Sequence, residues 1–261
     1  MKVVRWILAA FSMYTRIPVP HFKAEEDDME HCITFLPLVG AVIAAIMFGI
    51  IRLLSYYPVP IPAKVAVALI VPLTVTGGFH LDGFLDTVDA LSSYRSKEER
   101  LAILSDPHVG AFAFIKLITA GLFAYAGLLI IMDIDTGNKN RLFILVCGSV
   151  IISRTIAALT SIMMKKAKKD GLLVKETKEI GGAPVAFLIL VLTAILCLMA
   201  YIDPVKTGVI MLAYLVYTII YRNKVKKNFG GITGDTTGYY ITVSQIVAIC
   251  ALVVITLITT G

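Results

Sequence analysis

An all-α, polytopic membrane protein is the fold class this sequence predicts, and three observations predict it. The chain is 58% hydrophobic and only 16% charged over 261 residues, with a mean hydropathy of +0.85, whereas soluble domains average about 25% charged. Its apolar residues fall in long runs, each near the ~20 needed to cross a ~30 Å hydrocarbon core. Its basic residues are shared unevenly among the segments that join those runs. No boundary interrupts the pattern, so residues 1–261 read as a single membrane-embedded domain.

The elements follow in chain order. The opening stretch, MKVVRWILAAFSMYTRIPVP, pairs basic residues with a short apolar run. A secretory signal has that composition, but Arg16 and Pro18 follow with no cleavage signature, so the stretch predicts an amphipathic helix at the membrane interface. Seven transmembrane helices are predicted at about 33–55, 62–79, 110–132, 141–163, 184–202, 204–221 and 240–260. Pro37, Gly40, Pro72 and Gly148 interrupt several of them, which membrane helices tolerate when neighbours satisfy the freed backbone groups. The longer polar segments, 80–109, 164–183 and 222–239, read as loops on one side.

Charge tests that topology independently. With the N-terminus inside, the inner segments hold 17 Lys and Arg, among them Lys23 and Lys178, against 5 outside, among them Lys139; Lys116 and Arg154 fall within spans. Such asymmetry in short loops is the positive-inside pattern of a cytoplasmic membrane. The net charge of +6 is thereby explained by orientation, and no basic-aromatic nucleic-acid module is present. Cys32, Cys147, Cys197 and Cys250 are far apart, with no pair spaced for zinc or redox chemistry.

Against this apolar background, GGFHLDGFLDTVD at 77–89 puts three carboxylates at the inner edge of the second span. In a helix Asp82, Asp86 and Asp89 share one face, where like charges repel by a few tenths of a kcal/mol per pair. An acidic helix start held by the macrodipole would explain Asp82 alone. At a lipid boundary, where ionisable groups are expensive and usually functional, a divalent-metal site is the better reading. Carboxylate oxygens suit Mg²⁺, which takes one or two of them plus substrate phosphates.

A second stretch, GGITGDTTG at 230–238, repeats the Gly-Asp spacing: Asp235 follows Gly231 by four, as Asp82 follows Gly78. Glycines such as Gly77, Gly78 and Gly234 let backbone N–H groups approach phosphate oxygens. Two such stretches on one face predict a shared metal and polyphosphate pocket, with Asp235 a fourth carboxylate. Arg16, Arg100 and Arg154 are candidates for phosphate contacts, since a buried guanidinium needs an anionic partner. His80 and His108 are candidate bases, and Asp106 lies beside the latter.

Taken together, FxxxTRIP at 11–18, FLPLVG at 35–40, GGFHLDGFLDTVDAL at 77–91, RLAILSDPHVGAFAF at 100–114 and GGITGDTTG resemble, in order and spacing, the cobalamin synthase family. The likeness covers most of the chain. It departs at Thr242 and Gln245, where that family often carries acidic residues, so no carboxylate role is expected there. The resemblance implies an adenosylcobinamide-GDP ribazoletransferase: α-ribazole or its 5′-phosphate displaces GMP from the activated corrinoid. It implies Mg²⁺ on Asp82, Asp86 and Asp89 with Asp235, catalysis by those aspartates and His80, and substrate contacts from Arg16, Arg100, Arg154, Gly77, Gly78 and Gly234. The implied partners are the two substrates and the bilayer, with homo-oligomers or association with other corrinoid-pathway enzymes left open.

Two other readings use the same features. A CDP-alcohol phosphotransferase also keeps aspartates at an inner membrane face, but its motif runs Asp-Gly-x-x-Ala-Arg where this chain has Asp86-Thr87. A cation or substrate transporter would hold its acidic residues nearer the midplane, commonly with repeat symmetry.

Overall fold

The computed structural model describes residues 2–22, 25–106, 108–134, 141–177 and 180–260. Lys23, Lys139 and Lys178, three of the charges used to orient the chain, lie outside them. The described residues fold into helices: α1 (Lys2–Tyr14), α2 (Glu26–Met29), α3 (Leu36–Leu54), α4 (Ile61–Thr76), α5 (Phe79–Ser92), α6 (Lys97–Ile103), α7 (Ala111–Ile134), α8 (Arg141–Met163), α9 (Leu172–Glu176), α10 (Gly182–Ile202), α11 (Pro204–Phe229) and α12 (Gly234–Thr260). A single parallel bridge between Lys166 and Ile232 is the sole β pairing among the described residues.

Six of these helices are long and apolar enough to cross a membrane, α3 together with the 3-10 turn that precedes it and α7, α8, α10, α11 and α12. α4 and α5 meet the same test only together, across a 94° bend, and make a seventh crossing if the pair is one broken span. The bend has a local cause. Gly77 caps α4 with φ 62° and Gly78 opens α5 with φ 81°; two successive left-handed residues are readily available only to glycine. α5 thus runs across the end of the bundle that carries the aspartates. The predicted span 62–79 is shortened accordingly to Ile61–Thr76.

Two further boundaries move. α11 runs on through 222–229 before Gly230 stops it at φ 77°, and α12 starts at Gly234, so the predicted loop 222–239 shrinks to 230–233. Hydropathy measures how much helix lipid can cover, whereas Lys, Arg and Asn continue a helix into water at little cost. Likewise 80–109 contains α5 and α6, the latter opened by a reciprocal Ser96–Glu99 capping box.

α8 is the central helix, buried along most of its length, and packs against α3, α10 and α12. Gly40 of the FLPLVG motif permits its contact with α3: a Cβ there would lie 2.8 Å from Arg154 Cδ and 3.2 Å from the Val150 carbonyl. α1 buries Ala9, Ala10 and Tyr14 against the turn Cys32–Phe35 and α3, leaving Val3 and Val4 exposed. Arg5 ties it to the next segment by donating from Nε and Nη2 to both carboxylate oxygens of Asp28, at 3.0 and 2.7 Å.

Candidate active site

The two acidic motifs meet where α5 crosses the first turn of α12. Gly83 lies against Asp235, where a Cβ would come within 2.8 Å of its Cα and carbonyl oxygen; Gly238 lies against α5, 2.6 Å from the His80 carbonyl on the same construction. These reciprocal contacts bring two backbones together and so bring Asp82 and Asp86 to Asp235. Phe84 and Tyr239 stack beside the crossing at 5.9 Å.

Helix capping fixes the second motif. Thr233 accepts from the Thr236 N–H at 3.2 Å, while the Thr233 N–H donates to the Thr236 hydroxyl at 2.9 Å. Asp235 then occupies the first turn of α12 and Asp82 the first turn of α5. Both carboxylates sit at the positive ends of helix dipoles, where unpaired N–H groups also favour phosphate. Gly231 has a packing role: Ile232 and the 165–167 segment exchange two hydrogen bonds of 2.9 Å across it, and a Cβ would collide with that backbone.

Asp86 shows how closely the charges converge. Its carboxyl is pushed up to about 6, first by burial, then by the negative charges of Asp82, Asp235 and Asp89. Asp89 reaches Gly110 at the start of α7, where a side chain would collide with its carboxylate. No three His, Cys, Asp or Glu side chains among the described residues are grouped to chelate one ion. Asp82, Asp86, Asp89 and Asp235 nevertheless bring several carboxylates to one region, the donor chemistry Mg²⁺ takes when substrate phosphates complete its sphere.

Asp82 lies between two clefts. One, of about 530 Å³, is lined by Asp82, Arg16, Gly77, Gly78, Thr76 and Leu81. Arg16 is held there by its N–H, which donates to the Val75 carbonyl at 2.7 Å, and by packing against Gly77, which leaves no room for a Cβ. The other cleft, of about 330 Å³, is lined by Asp82, Asp235, Gly234, Lys168 and Ser105 among others. Lys168 donates to Ser105 Oγ at 2.9 Å. In the sequence Lys168 is one of the inner basic residues that orient the chain, with phosphate attraction secondary; the fold carries it to Asp235.

Asp86 and Asp89 line neither cleft, and four further predicted residues stand apart from both. Arg100 joins α6 to α11 through Asn228 and donates to the Ser93 carbonyl at 3.0 Å. His108 pairs with Asp106 at 2.7 Å on the surface. His80 is buried on the opposite face of α5, its ring 6.0 Å from Tyr14, and is held neutral, with its pKa down to about 3, by burial and then by Arg154. Arg154 is buried in α8 and lines, with His80, a separate apolar cavity.

Comparison with known proteins sets this geometry in context. The family described as cobalamin-5-phosphate synthase matches residues 6–253. A Lachnoclostridium phytofermentans protein named adenosylcobinamide-GDP ribazoletransferase is 33% identical, over 97% of this chain and 95% of its own. Proteins of the same name from Clostridium botulinum and Clostridium perfringens are each 31% identical, over 95% and 94% of this chain and 96% and 95% of theirs. No solved structure matches the chain.

Proposed function

We propose that this chain, which belongs to the cobalamin-5-phosphate synthase family, is an adenosylcobinamide-GDP ribazoletransferase that performs the last assembly step of cobalamin. The observation that carries the site assignment is the convergence of Asp86 with Asp82 and Asp235, the latter two in the first turns of their helices, beside clefts that also hold Arg16 and Lys168. Family membership favours this chemistry over a CDP-alcohol phosphotransferase or a transporter.

In the reaction proposed, the 3′-hydroxyl oxygen of α-ribazole, or of its 5′-phosphate, attacks the cobinamide-side phosphorus. The new O–P bond forms as the phosphoanhydride bond breaks, and GMP leaves with the electron pair. Such displacements depend chiefly on positioning and charge neutralisation. Mg²⁺, when bound, neutralises the pyrophosphate. Asp82 and Asp235, with Asp86 and Asp89 behind them, would hold it. Arg16 and Lys168 offer guanidinium and ammonium donors to phosphate oxygens from the two clefts, and Gly78 and Gly234, which carry no side chain and border free space, let a substrate approach closely. Asp86, already raised toward neutrality, is the carboxylate best suited to accept the hydroxyl proton. His80, buried and facing away, is less suited. The charge asymmetry supports a site that faces the cytoplasm across the cytoplasmic membrane.

The test is direct. Purified protein in lipid nanodiscs, given Mg²⁺, adenosylcobinamide-GDP and α-ribazole or its 5′-phosphate, should release one GMP per cobalamin product. Absence of GMP with either acceptor would overturn the reading.

A further inference from the structure

The chemistry above leaves unused a partly open cavity of about 300 Å³ lined by α3, α4, α7, α8 and α12 beneath α5. It lies on the far side of α5 from the aspartates: at 100° per residue, Asp82, Asp86 and Asp89 project across the helix from His80. Its wall is apolar over most of its extent, with Leu69, Ala120, Leu128 and Ile246 typical of it. The exceptions are Thr76, His80, Ser149, Arg154, Thr242 and Gln245.

Two of those side chains carry buried nitrogens that lack a hydrogen-bond partner, Arg154 Nε and His80 Nδ1. Arg154 is 2% exposed and His80 7%. Arg154 Nη1 donates to the Val150 carbonyl at 3.1 Å and to Ser153 Oγ at 3.5 Å, and no carboxylate among the described residues pairs with the guanidinium. An orphaned buried donor carries a desolvation cost that nothing repays, and a larger one when it is charged. A guanidinium N–H left so in an apolar pocket is what a ligand with an apolar body and a single acceptor would satisfy.

The cavity adjoins the site: Thr76 and Leu81 line both it and the cleft that holds Asp82 and Arg16. A ligand with its reacting oxygen in the cleft can therefore extend past these two residues into the cavity. Among the groups brought together by the proposed reaction, the corrin macrocycle is far too large. Guanine carries polar atoms around its whole edge, which this wall would leave unpaired. The dimethylbenzimidazole base of ribazole is flat and methylated, with one free ring nitrogen as its acceptor. A guanidinium both donates to such a nitrogen and stacks on an aromatic face.

We infer that this cavity is the subsite for the benzimidazole base of the ribazole substrate, with Arg154 as the donor to its free ring nitrogen and His80 beside it. The inference rests on the ribazoletransferase reading and adds to it the position of the acceptor substrate.

Gly121 supplies the test. It lines the cavity, and a Cβ there meets nothing within 4 Å, so Gly121→Phe should fill the space without displacing backbone. The KM for α-ribazole should rise about tenfold or more, with the KM for adenosylcobinamide-GDP unchanged; Arg154→Gln should move the same constant in the same direction. An unchanged ribazole KM in Gly121→Phe, the result expected if a bilayer acyl chain alone fills the cavity, would overturn the inference while leaving the transferase reading intact. If the wild-type chain releases no GMP, titration of nanodisc-embedded protein with dimethylbenzimidazole decides. Binding that is lost in Arg154→Gln supports an aromatic-base site, and no binding to wild type overturns it. The titration also decides if Gly121→Phe fails to fold.

Discussion

Asp86 and Glu176 are both acidic side chains pushed toward neutrality, and for different reasons. At Asp86 three other carboxylates add to burial, so a cation is the natural relief. Replacing Asp82, Asp86 or Asp89 by Asn keeps size and removes charge. Turnover is expected to fall by orders of magnitude at ordinary Mg²⁺, with partial rescue by Mn²⁺ and an unchanged helical circular dichroism spectrum; full activity in all three variants would rule out the metal role. Glu176 has no such neighbours. It is buried in α9, accepts the Tyr14 hydroxyl at 2.7 Å, and is pushed up to about 7 by burial against the lowering effect of that bond. Because the folded value lies above the ordinary 4.5, proton-linked stability is complete below about 4.5 and is lost as pH rises through 7, by at most ~3 kcal/mol. Glu176→Gln retains the acceptor without the charge. Its melting temperature should vary less between pH 5 and pH 8 than that of wild type, and exceed it at pH 8; parallel curves would refute the assignment. The sequence made the aspartates conspicuous by their setting, but it said nothing of Glu176, whose partner lies 162 positions away.

Among the elements, the crossing of α5 and α12 decides whether there is a site at all. Both motifs were legible as glycine-aspartate pairs, and their glycines were read as openings for phosphate. Gly78 and Gly234 border free space, whereas Gly83 and Gly238 are contact points between helices. Local periodicity cannot reveal such a partner, since the contact joins segments about 150 residues apart and depends on the bend at Gly77 and Gly78. Gly83→Ala or Gly238→Ala should force the helices apart by tenths of an ångström, at a cost of about 1–3 kcal/mol. Turnover should fall further than stability alone explains, because Asp235 moves relative to Asp82. Gly49→Ala, where a Cβ meets nothing within 4 Å, is the matched control. If thermal melts and turnover of the Gly83 and Gly238 variants equal those of this control, the crossing is not close-packed.

For the molecule as a whole, the number of crossings followed from run lengths, whereas the ends of the helices did not, because lipid exposure and helical propensity stop at different residues. The charge asymmetry makes a prediction about orientation. Single cysteines at Ser93, Lys169 and Lys227 in a cysteine-free background should resist impermeant thiol reagents in intact cells and react once the membrane is opened. Labelling of the Ser93 and Lys227 positions from outside would show that the aspartates face away from cytoplasmic nucleotide.

The sharp turn after α4 also has a consequence for the surrounding lipid. With 16 residues, α4 is about 24 Å long, some ~6 Å short of a typical hydrocarbon core. α7, its neighbour, has 24 residues. A bilayer that meets a short helix by thinning around it would bring headgroups and water toward α5 in a shallow depression over the carboxylates. A bulky, water-soluble nucleotide conjugate can then reach a site rooted in the membrane without crossing oil. Reconstitution in lipids of increasing acyl length should lower turnover progressively as the depression becomes harder to form, and rates independent of bilayer thickness would argue against it.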